Sequence, residues 1–133
     1  AYSCAGIDTP VVLPGGALVA MTVYDLDTGP LGDYEESFTV PGYAYYRTPL
    51  RAASDNEIAS TISVDQSTRT FSATARGDSA DNPTDPQTLT DEQAANGVQF
   101  FFRAQYGYVD ASYVVHGTCT CIKLEDLFRS VLL

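Results

Sequence analysis

With 133 residues the chain is the size of one domain, long enough to bury a core without metals or dense disulfides. Seventeen Asp and Glu against seven Lys and Arg give a net charge of −10, which lacks the basic footprint that nucleic-acid binding requires. No apolar run reaches the roughly 18 residues of a membrane-spanning helix, so no membrane span is expected.

The chain opens at Ala1 with neither a basic segment nor an apolar stretch behind it. This is the look of a mature extracellular protein, at the cell surface or secreted, whose signal peptide has been removed. Asn82 is followed by Pro83, which blocks N-glycosylation there.

Residues 1–17 contain Pro10, Pro14, Gly15 and Gly16 and read as an extended N-terminal arm. "ALVAMTVYDLD" then reads as a buried strand, followed by the turn "TGPLGD". "YEESFTV" alternates as a strand, Pro41-Gly42 is a turn, and "YAYYRTPL" is a further strand ended by Pro49. Across 58–76, Ile58, Ile62, Val64, Phe71, Ala73 and Ala75 keep strand periodicity on both sides of "DQST". That pattern predicts a hairpin with a loop of about four residues. Its apolar face alternates with Ser and Thr, as in a sheet with one wet side.

The segment 77–90 is a polar loop whose Asp78, Asp81 and Asp85, with Asp91 just beyond, read as turn-forming carboxylates that bond nearby amides. Thr90 and Gln93 form a capping box, and Asn96-Gly97 a stop, around a short helix near 91–95. "VQFFFR" and "YVDASYVVH" are expected to pair with each other around "AQYG". In "FFF", Phe101 must face away from Phe100 and Phe102 because strand side chains alternate. The period then changes. Leu124, Leu127, Phe128, Val131 and Leu132 recur at helical spacing, an amphipathic stripe over residues 123–133. It either caps this chain's own sheet or docks on the next subunit. The fold class expected is all-β, a β-sandwich of jelly-roll type over residues 18–122, with a closed barrel as the competing architecture.

Three cysteines cannot all pair within one chain. Cys119 and Cys121 share one face of an extended strand, so Cys4 is expected to bond one or the other. The remaining thiol is either buried and inert or links two copies of the chain.

Asp25 and Asp27 stand two apart at a strand end. Oxygen-only ligands in loose geometry suit calcium, so Asp25 and Asp27, with Asp110 from a neighbouring strand, form a candidate calcium site; otherwise they are solvated turn carboxylates. Calcium is the one candidate cofactor. No Gly-rich phosphate loop, nucleophile elbow or zinc-protease motif is present, and His116 is the sole histidine, so enzyme activity is not expected.

"VYDLDTG", "ISVDQSTRTFSATARG", "DNPTDPQTLTDEQAANGVQFFF" and "YGYVDASYVV" resemble extracellular β-sandwich domains of algal and protist surface proteins. The resemblance spans roughly residues 18–118. It implies an extracellular β-sandwich and marks Asp25 and Asp27 as candidate cation ligands. Together the odd cysteine, the apolar tail and the arm lead to an extracellular structural protein, a subunit of a surface filament, sheath or matrix that assembles with copies of itself. The alternative is a calcium-dependent carbohydrate-binding module with glycans as partners.

Overall fold

The structure, a computed structural model, describes residues 13–50, 58–78, 80–103 and 110–117. Cys4, Cys119 and Cys121, most of the N-terminal arm, and the stripe of Leu124, Leu127, Phe128, Val131 and Leu132 lie outside the described residues.

The protein is mostly β. Among the described residues seven strands, β1 (Leu18–Val23), β2 (Tyr34–Thr39), β3 (Tyr45–Arg47), β4 (Ile62–Asp65), β5 (Thr70–Ala73), β6 (Val98–Arg103) and β7 (Ser112–Gly117), accompany one short helix, α1 (Asp91–Ala95). The strands form two antiparallel sheets, one in the order β1-β6-β3 and the other β4-β5-β2-β7.

One core lies between the sheets. Phe71 of β5 meets Phe100 of β6 edge to face, with ring centroids 4.8 Å apart. Tyr43 touches both rings and Tyr46, and Arg69 lies over its face, 4.5 Å from the centroid. Aromatic pairs in these tilted and T-shaped arrangements add to simple area burial. Leu26, Phe38, Val40, Ile62, Ala73, Val98 and Phe102 complete the buried cluster.

Local chemistry accounts for the elements. In the β4–β5 hairpin, the turn is fixed by Asp65, whose Oδ1 accepts from the Ser67 amide at 2.8 Å and the Ser67 hydroxyl at 2.6 Å. These bonds favour the charged form and hold the Asp65 carboxyl down at about 2. The capping box of α1 is present in full: Thr90 Oγ1 accepts from the Gln93 amide, and Gln93 Oε1 accepts from the Thr90 amide. Asp85 binds the Gln87 amide and the Thr88 hydroxyl, and Asp78 the Ala80 amide, as turn carboxylates do. Among the described residues no helix is long and apolar enough to cross a membrane.

Two expectations change. The first is that β6 and β7 do not pair. β6 is the centre of its sheet, with β1 on one edge and β3 on the other, so neither edge is free. β7 pairs with β2 in the other sheet, where Tyr113 packs on Phe38 at 5.7 Å and its hydroxyl donates to Glu36. Nearness in sequence favours a hairpin, but these long-range side-chain contacts decide the partner. The second is that β1 is shorter than the apolar run and not wholly buried: it ends at Val23, and its alternate residues Leu18 and Ala20 are exposed.

Candidate cation site

The chain leaves β1 at Tyr24 and turns sharply at Asp25, which adopts a positive φ of 58°. Among residues with a side chain, Asp and Asn tolerate this left-handed conformation best. The turn drives Leu26 into the core, at 1% exposure. The segment 25–28 is then clamped on three sides. The Leu26 amide donates to the Asn96 carbonyl, the Thr28 amide to the Ala75 carbonyl, and the Glu36 amide to the Asp27 carbonyl. Gly77 in turn donates its amide to the Thr28 carbonyl at 2.9 Å.

This clamp brings three carboxylates together. One oxygen from each of Asp25, Asp27 and Asp81 lies within 4.8 Å of the others. Asp27 is 8% exposed and Asp81 is fully buried. Asp81 reaches the cluster from the loop after β5. There its Oδ1 accepts from the Asp78 amide at 3.2 Å and its Oδ2 from Asn96 Nδ2 at 3.2 Å. Asn96 is itself oriented by the Thr61 hydroxyl, which donates to its Oδ1 at 2.6 Å. Glu36 stands beside the trio with both oxygens engaged, Oε2 by the Asp27 amide and Oε1 by the Tyr113 hydroxyl. The main chain of Gly77 closes the other side: a β-carbon there would fall 1.7 Å from Asp27 Oδ2.

The electrostatics are those of crowded like charges. Burial, followed by the charges of Asp25, Glu36 and Asp81, pushes the Asp27 carboxyl up to about 6. Burial, then Asp81 and Glu36, also raises Asp25, against a lowering contribution from its bond to Asp27. Among the described residues, the charges that raise these two groups most are all acidic. Asp25 Oδ1 is buried and has no hydrogen-bond partner among the described residues. A buried carboxylate oxygen without a donor is costly, by roughly 1–3 kcal/mol or more for a charged group.

The donor set is all oxygen, which selects a hard cation over zinc or copper. Three carboxylates, one with an oxygen that lacks a partner, and with Asn96 and Thr61 holding Asp81 from behind, fit calcium. The ion would replace the missing donor at Asp25 and offset the repulsion within the trio.

Of the residues expected at such a site, Asp25 and Asp27 are brought together. Asp110 is exposed at the start of the segment leading into β7 and is not one of the clustered carboxylates. The third is Asp81, which the sequence presents as one turn carboxylate among several; it does bond the nearby Asp78 amide, and the structure buries it as well. Nothing in its neighbourhood distinguishes it from Asp78 or Asp85, and it lies far along the chain from Asp27. His116 is exposed on β7, opposite Glu35. Comparison of the chain with protein-family models, with curated proteins and with solved structures gives no match in any of the three.

Proposed function

We propose that the chain is an extracellular structural domain, a self-assembling subunit of a surface filament, sheath or matrix, locked by a calcium ion held by Asp25, Asp27 and Asp81. In this reading the two sheets belong to a jelly-roll sandwich. The observation that carries the proposal is the acidic trio, with Asp27 and Asp81 buried and Asp25 Oδ1 unpartnered. Crowded buried carboxylates are relieved either by taking up a proton or by meeting a positive charge, and a cation relieves all three at once. Calcium sites of extracellular modules bind in the range of about 10⁻⁴–10⁻³ M, which suits a stable role outside the cell.

The burial of two of the three carboxylates, with Asp25 half-buried, favours a structural ion over a ligand-bridging one. With Asp27 at 8% exposure and Asp81 at 0%, little of the ion's coordination sphere is open to a sugar hydroxyl. Calcium-dependent glycan binding therefore ranks second. The odd cysteine and the apolar stripe at 124–132 support assembly, since each gives a chain something to share with a neighbour.

Sedimentation velocity of the full chain in millimolar calcium and in chelator tests the proposal. Concentration-dependent species larger than a monomer in calcium are expected. A single monomeric boundary at every concentration, with a glycan array bound only in calcium, would transfer the function to the glycan-binding reading.

A further inference from the structure

The loop between the cation site and β2 is a tight hairpin with an apolar tip. The Gly32 amide donates to the Gly29 carbonyl at 2.7 Å, closing a β-turn with Pro30 and Leu31 at its two central positions. Pro30 fixes φ at the first of these, and Gly32 follows at φ 69°, a conformation that glycine adopts without strain. The Gly29 amide donates to the Tyr34 carbonyl, and Thr28 bridges Glu35, so the loop is tied at its base. The turn holds Leu31 at 84% exposure. The next exposed side chains on its β2 side are acidic, Asp33 and Glu35. A large aliphatic side chain held in water by a closed turn is an anchor with no socket among the described residues.

The outer face of the β1-β6-β3 sheet has the complementary character. Its three strands contain no Asp or Glu, in a chain with seventeen. The register sets three rows across this face: Leu18 beside Arg103; Ala20, Phe101 and Tyr45 in the middle; Thr22, Gln99 and Arg47 beyond. The middle row is thus an apolar strip between two arginines. Tyr45 and Phe101 stack on one another, with centroids 4.4 Å apart and planes 15° apart, and Tyr45 and Leu18 are about half exposed. Rings that spend one face on each other are poorly placed as a sugar-stacking platform and well placed to pack an aliphatic side chain.

We infer that the Leu31 hairpin of one copy docks on the outer face of the β1-β6-β3 sheet of the next, with Leu31 on the Ala20–Phe101–Tyr45 strip and Asp33 and Glu35 facing Arg47 and Arg103. This rests on the self-assembly reading and names its contact. The two surfaces differ, so the contact is head to tail, and an interface that does not close on itself generates an open filament. The charge pairing sets the register and discriminates against other partners.

Two variants of the full chain, studied by sedimentation velocity in calcium with a reducing agent, test it. Leu31→Asp removes the anchor, and Arg47→Glu with Arg103→Glu reverses the socket. All three positions carry exposed side chains, and circular dichroism verifies that each variant is folded. Each alone is expected to associate roughly 10- to 100-fold more weakly than wild type, the loss typical of removing an interface anchor. Mixed one to one, they are expected to give a dimer that grows no further, because the pair retains one intact anchor and one intact socket. Wild-type assembly with either variant assembling equally well would overturn the inference and leave self-assembly standing. A mixture of folded variants that stays monomeric would also overturn it. So would a socket variant that assembles normally but no longer binds a sulfated polysaccharide such as dextran sulfate, which would make the face a glycan site. A wild-type chain that never associates would remove both the inference and the reading beneath it.

Discussion

Asn96 Nδ2 donates to Asp81 Oδ2 at 3.2 Å, joining the end of the only described helix to a fully buried carboxylate. The same residue gives its backbone carbonyl to Leu26, one position from both Asp25 and Asp27. Asn96 therefore holds both halves of the acidic trio in place, one through its side chain and the other through its main chain. Asn96→Ala keeps the second link and removes the first. It leaves one oxygen of Asp81 buried without its donor, at a cost of about 1–3 kcal/mol in unfolding free energy. Urea unfolding measures that loss, and calcium titration should show weakened binding as well. A variant as stable as wild type would mean that Asp81 is not held as described.

Gly77 tests the wall of the site. Its main chain lies so close to Asp27 that a β-carbon would fall within 1.7 Å of the carboxylate oxygen, and Asp27 is too enclosed to swing aside freely. Gly77→Ala is expected to destabilise the fold by about 1–3 kcal/mol, as overpacking does. It should also lower calcium affinity. The control is Gly42→Ala, where a β-carbon meets nothing and the effect should be small. Chemical denaturation of the three proteins checks the ranking.

The raised carboxyl of Asp27 fixes the sign of a pH effect. In chelator, the folded chain holds this proton up to about pH 6 while the unfolded chain releases it near 3.8. Between those values the folded state carries more protons, so this group's stabilising contribution is present below about pH 4 and is lost as pH rises through 6. Calcium competes with the same proton, so the gain in melting temperature on adding calcium should grow from pH 5 to 7. Asp65, held down at about 2, acts in a separate window, its contribution fading only as pH falls below about 4. Thermal melts across pH 2–7, with and without chelator, measure both trends.

The core contact between sheets yields a larger effect. Phe100 is fully buried at the centre of its sheet and meets Phe71 edge to face. Phe100→Ala is expected to cost about 3–5 kcal/mol. Phe101→Ala, one position along on the outer face, should cost far less. Equal losses at the two positions would contradict the assigned alternation of β6.

That alternation was legible in the sequence, because a strand cannot put three successive phenylalanines on one face. So was the capping box of α1, which needs only Thr90 and Gln93 at fixed spacing, and so was the hairpin around Asp65. Local rules govern all three. Strand pairing was less legible: β6 and β7 are near neighbours in sequence yet lie in different sheets, because Tyr113 is committed to Phe38 and Glu36. The acidic trio was half legible. Asp25 and Asp27 stand out as a pair at a strand end, whereas Asp81 is identified only by Asn96 and by its burial, both products of the folded chain.

The central claim, that Asp25, Asp27 and Asp81 hold calcium, is tested most directly by thermal unfolding of wild type and Asp25→Asn in 2 mM calcium and in chelator. Asparagine suits the left-handed backbone at position 25 and removes one of the crowded charges. Wild type is expected to melt about 3–8 °C higher in calcium, from millimolar-range binding and the entropy of a domain this size. Asp25→Asn is expected to exceed wild type in chelator and to gain little from calcium. A wild-type midpoint that is the same in both buffers would contradict the claim.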